Sequence, residues 1–168
     1  MIIIVLRNFI CLIGLILLSL PLFVVAFCLL IEDGMPVLFK QKRRGQNNKI
    51  FLIYKIRTMK NNTPELGTHD VNSMFKLKTG AVIRALKIDE FPQLVNVIKG
   101  DLNLVGPRPG LETQMELTEA RLNKNIYRVK PGITGLAQIL GYDMSNPEEL
   151  ALIDSIYLKN ESLRIKML

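Results

Sequence analysis

One histidine and two cysteines in 168 residues leave little from which to build a soft metal site or a disulfide scaffold. His69 stands in a polar stretch with no cysteine or second histidine beside it. A zinc site is excluded and a solvated loop residue is expected. Cys11 and Cys28 both lie in an apolar segment, too far apart along one helix to bond, and act there as small hydrophobes. With no disulfide framework, a reducing, cytoplasm-facing compartment is expected. No Walker-type P-loop, GxSxG or HExxH pattern occurs, and no internal repeat, so those routes to phosphate, acyl or zinc chemistry are closed. Acids are also short: 15 against 22 Lys and Arg, a formal net charge of +7. Such a balance suits anionic partners, whether nucleic acid, phospholipid headgroups or phosphorylated substrates.

What the chain has in excess is apolar sequence at one end. Hydrophobic residues make up 49% of it, and the surplus is concentrated before residue 35. The remainder reads as one ordinary globular domain. Phe9 to Ile31 carries no charge, and about 20 apolar residues suffice to cross a bilayer. The run is long for a signal-peptide core and lacks a small-x-small cleavage site. Bulky Phe27 before Cys28 argues against lipoprotein processing. Arg7 precedes the run, and Lys40, Lys42, Arg43 and Arg44 follow it, with Glu32 and Asp33 between. Positive residues favour the cytoplasmic side. A single span therefore puts the following domain inside and the N-terminus outside, whereas Arg7 argues for both ends inside. A broken helix would permit the latter. Pro21 has no N–H for the Leu17 carbonyl, and Ser19 can bond back to the Leu15 carbonyl. On these residues alone, a kinked span and a helix that re-enters on one face stand equal.

Beyond the apolar segment, Lys49 to Met59 alternates as a strand: Ile50, Leu52, Tyr54 and Ile56 on one face, Phe51, Ile53, Lys55 and Arg57 on the other. Lys55 and Arg57 are then neighbours, either on a solvated face or as one cationic wall of a phosphate site. Asn61 to Asp70 reads as an exposed loop. Ser73 to Leu86 reads as largely helical, weakened at Gly80, with Arg84 close enough to fold back on Asp89. Next comes Lys87-Ile88-Asp89-Glu90-Phe91-Pro92-Gln93-Leu94. Phe91, Leu94, Val95 and Ile98 form an apolar stripe, Pro92 fits a first helical turn and Gly100 a C-terminal cap. Asp89 is then a natural N-cap, and this is the plain alternative to a catalytic role. Leu102 to Val105 is a short extended stretch. Pro107 and Pro109 hold Arg108 near an extended backbone, suited to bidentate contact with phosphate or to a simple surface turn. Glu112 to Lys124 reads as a mixed-charge supporting helix, and Lys130 to Gly135 as a turn-rich connection into Leu136 to Ile139. Pro147 to Lys159 reads as an amphipathic helix, with Leu150, Ile153, Ile156 and Tyr157 on one side and Glu148, Glu149 and Asp154 elsewhere.

Four blocks in order make the chain resemble the bacterial sugar transferase family, the small monotopic phosphoglycosyl transferases. They are Phe51 to Met59 (FLIYKIRTM), Ile88 to Leu94 (IDEFPQL), Lys99 to Pro109 (KGDLNLVGPRP) and Val129 to Gln138 (VKPGITGLAQ). The resemblance covers nearly the whole chain. It implies a transfer at the cytoplasmic face of the bacterial inner membrane. A UDP-sugar gives its sugar 1-phosphate to undecaprenyl phosphate through a covalent aspartyl intermediate, yielding the undecaprenyl-diphosphate sugar and UMP and starting cell-surface glycan assembly. It implies Asp89 as nucleophile, Glu90 with it at a Mg2+ ion, and Arg108 on substrate phosphate, with Arg84, Lys55 and Arg57 as further clamps. Pro107, Gln138 and Tyr142 fall on the nucleotide and sugar side. Phospholipids and downstream glycosyltransferases are the expected partners, and nucleic acid is not.

The implied architecture is α+β and mostly helical. Residues 1–34 form a re-entrant membrane helix broken at Ser19 and Pro21. Residues 35–168 form a cytoplasmic catalytic domain with membrane-surface helices and a short β element. The chain departs from the family pattern at Leu20, which separates Ser19 from Pro21. It departs also at Leu136, where a Trp is usual, and near Tyr142, where an Arg is common. It ends at Leu168 where relatives continue, so a shortened C-terminus is expected. The alternative from another class is a membrane-anchored basic module that binds anionic lipid or nucleic acid without catalysis.

Overall fold

The computed structural model describes residues 2–61, 63 and 75–160. Expected loop residues 64–70, with His69, and the start of the helix expected from Ser73 lie outside them. The described chain is mixed α+β and mostly helical. It divides into two compact units, Met1–Gln41 with Tyr54–Val95, and Lys42–Ile53 with Asn96–Leu168. β1 (Leu38–Arg44) and β2 (Ile50–Ile56) form a two-stranded sheet.

The first unit begins with α1 (Ile2–Leu17) and α2 (Ser19–Asp33), bent by 52° at the break between them. Neither helix alone is long and apolar enough to cross a membrane. At 1.5 Å per residue each is about 24 Å or less, short of a hydrocarbon core of about 30 Å. The bend has local causes. Pro21 leaves the Leu17 carbonyl without its helical donor, and Ser19 Oγ donates to the Ile16 carbonyl at 2.6 Å, one residue on from the expected Leu15. Phe9, Ile16, Leu17, Leu20, Phe23 and Ile31 are all more than half exposed, an apolar surface that water alone does not account for.

The inner side of α2 packs Leu29 with Ile56, Leu77 and Ile83. Leu77 immediately precedes α3 (Lys78–Ala85) and Ile83 lies within it. Glu32 caps that helix, accepting from the Lys78 and Thr79 amides at 2.7 and 3.1 Å and from the Thr79 hydroxyl. Gly80, read from sequence as a weakness, is needed for close approach: a Cβ there would lie 2.2 Å from the Thr58 carbonyl oxygen.

The second unit holds α5 (Met115–Asn123), α6 (Leu136–Ile139) and α7 (Pro147–Lys159) around Leu117, Ala137 and Leu150. It also holds a parallel pair, β3 (Asn103–Val105) with β4 (Gly132–Thr134), in the register Asn103↔Gly132 and Val105↔Thr134. The pair explains two glycine-bearing blocks of sequence. A Cβ at Gly132 would stand 2.1 Å from the Gly106 nitrogen, so backbone meets backbone with no room for a side chain.

Helix α4 (Gln93–Lys99) departs from its expected stripe. Val95 is exposed, while Gln93, Asn96 and Val97 are buried. Asn96 is accommodated because its amide donates to the Leu52 carbonyl at 2.8 Å and to Asp101 at 3.2 Å. On α7 Glu148 and Glu149 are exposed as expected, while Asp154 is buried and Ile156 is exposed.

Candidate active site

In the first unit the acid pair sits on a short turn. Lys87 adopts a left-handed conformation (φ 57°) and throws the chain into a 3-10 turn over Ile88–Glu90. Ile88 anchors that turn against the Leu29–Ile56–Leu77–Ile83 cluster. Pro92 then precedes α4, as its missing N–H permits. Asp89 lies in the middle of this turn, not at the N-cap of a helix as the spacing predicts. The reason is the tight i→i+3 winding from Lys87 to Phe91, with Glu90 N–H on the Lys87 carbonyl and Phe91 N–H on the Ile88 carbonyl.

Asp89 is 8% exposed, and its Oδ1 is buried without a hydrogen-bond partner. Around it stand Glu90, Lys55 and Arg84. Lys55 Nζ is 3.6 Å from Glu90 Oε1, both side chains largely buried. Arg84 is partly buried, with Nε donating to Thr58 Oγ1 at 2.7 Å. Burial pushes the Asp89 carboxyl above the ordinary aspartate range. Lys55 and Arg84 oppose that shift and the Glu90 charge adds to it. Burial also pulls the Arg84 guanidinium down, against the field of Asp89.

Arg57 is engaged elsewhere, unlike the cationic wall expected from strand alternation. It follows β2, and its guanidinium donates to Asp33 Oδ2 at 2.6 Å and to the Gly34 carbonyl at 2.6 Å. A cation there satisfies the carbonyl end of α2. The strand pattern fails at this point because Ile56, Arg57 and Thr58 are all buried in succession.

In the second unit, Pro107 and Pro109 are buried and Arg108 is partly exposed. The backbone of this loop is held carbonyl by carbonyl. Gly132 N–H donates to Pro107 at 3.0 Å, and Arg44 N–H to Gly110 at 3.0 Å. Arg121 Nη1 donates to Arg108 at 2.8 Å, Arg43 Nη1 to Pro109 at 3.1 Å, and Arg44 Nη2 to Glu112 at 3.1 Å. Arg121 is itself held by Asp154, through Nε at 3.0 Å and Nη2 at 2.6 Å. Burial pushes the Asp154 carboxyl up, and the Arg121 charge pulls it back. Gln138 donates to the Ile133 carbonyl at 3.3 Å and leaves its Oε1 buried without a partner. Tyr142 packs against the Leu117–Ala137–Leu150 cluster.

Asp89, Glu90, Lys55 and Arg84 are thus gathered in the first unit. Pro107, Arg108, Gln138 and Tyr142 belong to the second. Thr58, Arg121 and Asp154 support these sites; Thr58 lies in the Phe51 to Met59 block, whereas Arg121 and Asp154 carry no local sequence signal and are placed by packing. For a divalent cation the test is the donor set. Among the described residues no group of three or more His, Cys, Asp and Glu is assembled. An adjacent acid pair with an unpartnered buried oxygen fits Mg2+, which is held by one or two carboxylates and completed by phosphate and water.

The model of the family described as "Bacterial sugar transferase" matches residues 3–168. An uncharacterized sugar transferase, EpsL, of Bacillus subtilis (strain 168) is 45% identical over 133 residues, 79% of this chain and 65% of its own. A UDP-N-acetylgalactosamine-undecaprenyl-phosphate N-acetylgalactosaminephosphotransferase of Aeromonas hydrophila is 39% identical over 145 residues, 82% of this chain and 34% of its own. An undecaprenyl-phosphate galactose phosphotransferase of Salmonella typhimurium is 32% identical over 173 residues, 93% of this chain and 36% of its own. The chain therefore spans between about a third and two thirds of the length of these relatives. With the four blocks in order and a family match from residue 3 to residue 168, the chain belongs to the bacterial sugar transferase family.

Proposed function

We propose that this chain is a phosphoglycosyl transferase that moves a sugar 1-phosphate from a UDP-sugar to undecaprenyl phosphate at the cytoplasmic face of the inner membrane. The observation that carries the reading is the Asp89 carboxylate: buried, bracketed by Lys55 and Arg84, and with one oxygen committed to no structural bond. An aspartate held this way is costly to a fold and useful to a reaction.

In the first step an Asp89 oxygen attacks the sugar-bearing phosphorus. The bond from that phosphorus to the bridging oxygen breaks, and UMP leaves with the electron pair. In the second step a phosphate oxygen of undecaprenyl phosphate attacks the same phosphorus and displaces the carboxylate, which is regenerated. Lys55 and Arg84 reduce the repulsion between the carboxylate and an incoming diphosphate and oppose the rise that burial imposes on the Asp89 carboxyl. Glu90, with Asp89, would hold a Mg2+ ion that neutralises charge on the diphosphate and the departing nucleotide. Arg108 on its proline-locked loop would meet a substrate phosphate. The attacking oxygen must come within about 3–3.5 Å of phosphorus.

The two short limbs of the bent helix support a re-entrant reading, because both ends of the pair then lie on the side of the domain that carries Lys40, Lys42, Arg43 and Arg44. A basic module without catalysis leaves the unpartnered carboxylate with no task.

The test is intact-mass spectrometry of the full chain in detergent with Mg2+ and UDP-N-acetylgalactosamine, UDP-glucose or UDP-galactose, without lipid acceptor. One sugar-phosphate adduct on Asp89, discharged by undecaprenyl phosphate with UMP released beforehand, is the expected result. Undiminished UMP release from folded Asp89→Asn protein defeats the nucleophile role.

A further inference from the structure

We infer that Arg121 and Asp154 are positioning residues for Arg108, fixing through its carbonyl the direction in which that side chain is offered to a substrate phosphate. The inference rests on the phosphate-contacting role proposed for Arg108 above.

The geometry divides one guanidinium into two tasks. Nε and Nη2 both donate to Asp154 Oδ2, at 3.0 and 2.6 Å. Nη1 is left to donate to the Arg108 carbonyl at 2.8 Å. Arg121 is 1% exposed and Asp154 2%, so water does not compete for either partner. The loop already has few backbone freedoms, because Pro107 and Pro109 fix their own φ and confine the residue between them. The main remaining freedom is the tilt of the peptide plane after Arg108, and a bond to its carbonyl removes it. With that plane fixed, the Cα–Cβ direction of Arg108 is fixed.

A simpler reading makes the pair a staple between α5 and α7. Those helices already meet through Leu117 and Leu150, and an apolar pair of similar volume generally serves packing as well as a buried ion pair does. An ion pair explains more here because its third donor reaches the one arginine carbonyl in the proline-flanked loop. Lysine, whose donors all radiate from one nitrogen, does not reproduce the planar fork that reaches Asp154 through Nε and Nη2 and the loop through Nη1.

The experiment uses the full chain in phospholipid nanodiscs with Mg2+, comparing wild type with Arg121→Lys, the apolar double variant Arg121→Met with Asp154→Leu, Arg108→Ala, and Arg108→Ala combined with Arg121→Lys. Affinity for UDP is measured together with hydrogen exchange of the Arg108 and Gly110 amides. Folded Arg121→Lys and the apolar double variant should bind UDP about tenfold more weakly, the loss of one well-placed hydrogen bond's worth of preorganisation, with faster exchange at both amides. Adding Arg121→Lys to Arg108→Ala should cost nothing further, as expected for two residues acting as one unit. Should the apolar double variant not fold, Arg121→Lys carries the comparison. If Arg108→Ala weakens UDP while folded Arg121→Lys binds like wild type, the pair is only a staple and the inference fails alone. If Arg108→Ala itself binds UDP like wild type, the phosphate role of Arg108 fails and takes the positioning role with it.

Discussion

Asp89 and Asp154 are both buried aspartates, each raised above its ordinary range by the same cause, loss of water. Their surroundings differ in kind. Asp154 takes two hydrogen bonds from one guanidinium at 3.0 and 2.6 Å inside the second unit. Asp89 in the first unit has cations nearby, yet its Oδ1 has no partner. One carboxylate is spent on holding the fold together and the other is held in reserve. Burial by itself therefore does not distinguish a scaffold acid from a reactive one; the state of its hydrogen bonds does.

That contrast can be broken most forcefully at Asp154. Replacing it with Ala leaves the Arg121 charge buried and unpaired, and a loss of about 3–5 kcal/mol is expected by denaturant titration. A loss below about 1 kcal/mol, the range of exposed pairs, would show that Asp154 is not the scaffold member. Next in size is Gly132→Ala. Its added carbon meets backbone at 2.1 Å rather than a flexible side chain, so a loss of about 1–3 kcal/mol is expected, with the parallel β3–β4 pairing disturbed in amide exchange.

A smaller effect of opposite sign is expected at Asp89. Because its folded-state carboxyl is raised, the folded protein holds that proton more tightly than the unfolded chain. Stability then falls as pH rises from the ordinary aspartate value through the raised folded one. Asp89→Asn removes this contribution, so the variant should melt above wild type at neutral pH, with a shallower decline across the acid range. Asp154 retains a slope of the same sign, so the decline is reduced and not abolished. A variant that melts below wild type at every pH would make Asp89 a structural acid after all. The smallest effect sharpens the comparison from the cation side. Lys55→Met removes the largest influence opposing burial at Asp89, so the acid limb of the pH–rate profile should move to higher pH; an unmoved limb would detach Lys55 from the site.

Much of the local architecture was legible in the residues. Helix α7 has the bounds its periodicity predicts, Gly100 takes the left-handed conformation of a helix end (φ 86°), and the apolar segment breaks beside Ser19 and Pro21. These follow from short-range sterics and donor loss, which neighbouring residues settle among themselves. The face of α4 and the fate of Arg57 were not legible. A buried Asn96 is tolerable only where a carbonyl from residue 52 arrives to meet it, and Arg57 is diverted by an acid 24 residues earlier.

For the candidate site, sequence by itself determined which groups the chain has to work with: an adjacent acid pair, an arginine between prolines, and cations in surplus over acids. Tertiary structure alone decided their condition. It buried Asp89 and left an oxygen unpartnered, sent Lys55 to Glu90 and Arg57 to Asp33, and set Arg121 under the Arg108 carbonyl. The physical reason is that ionisation and hydrogen-bond saturation depend on dielectric and on partners brought from far along the chain, and neither quantity exists until the chain has closed around the group.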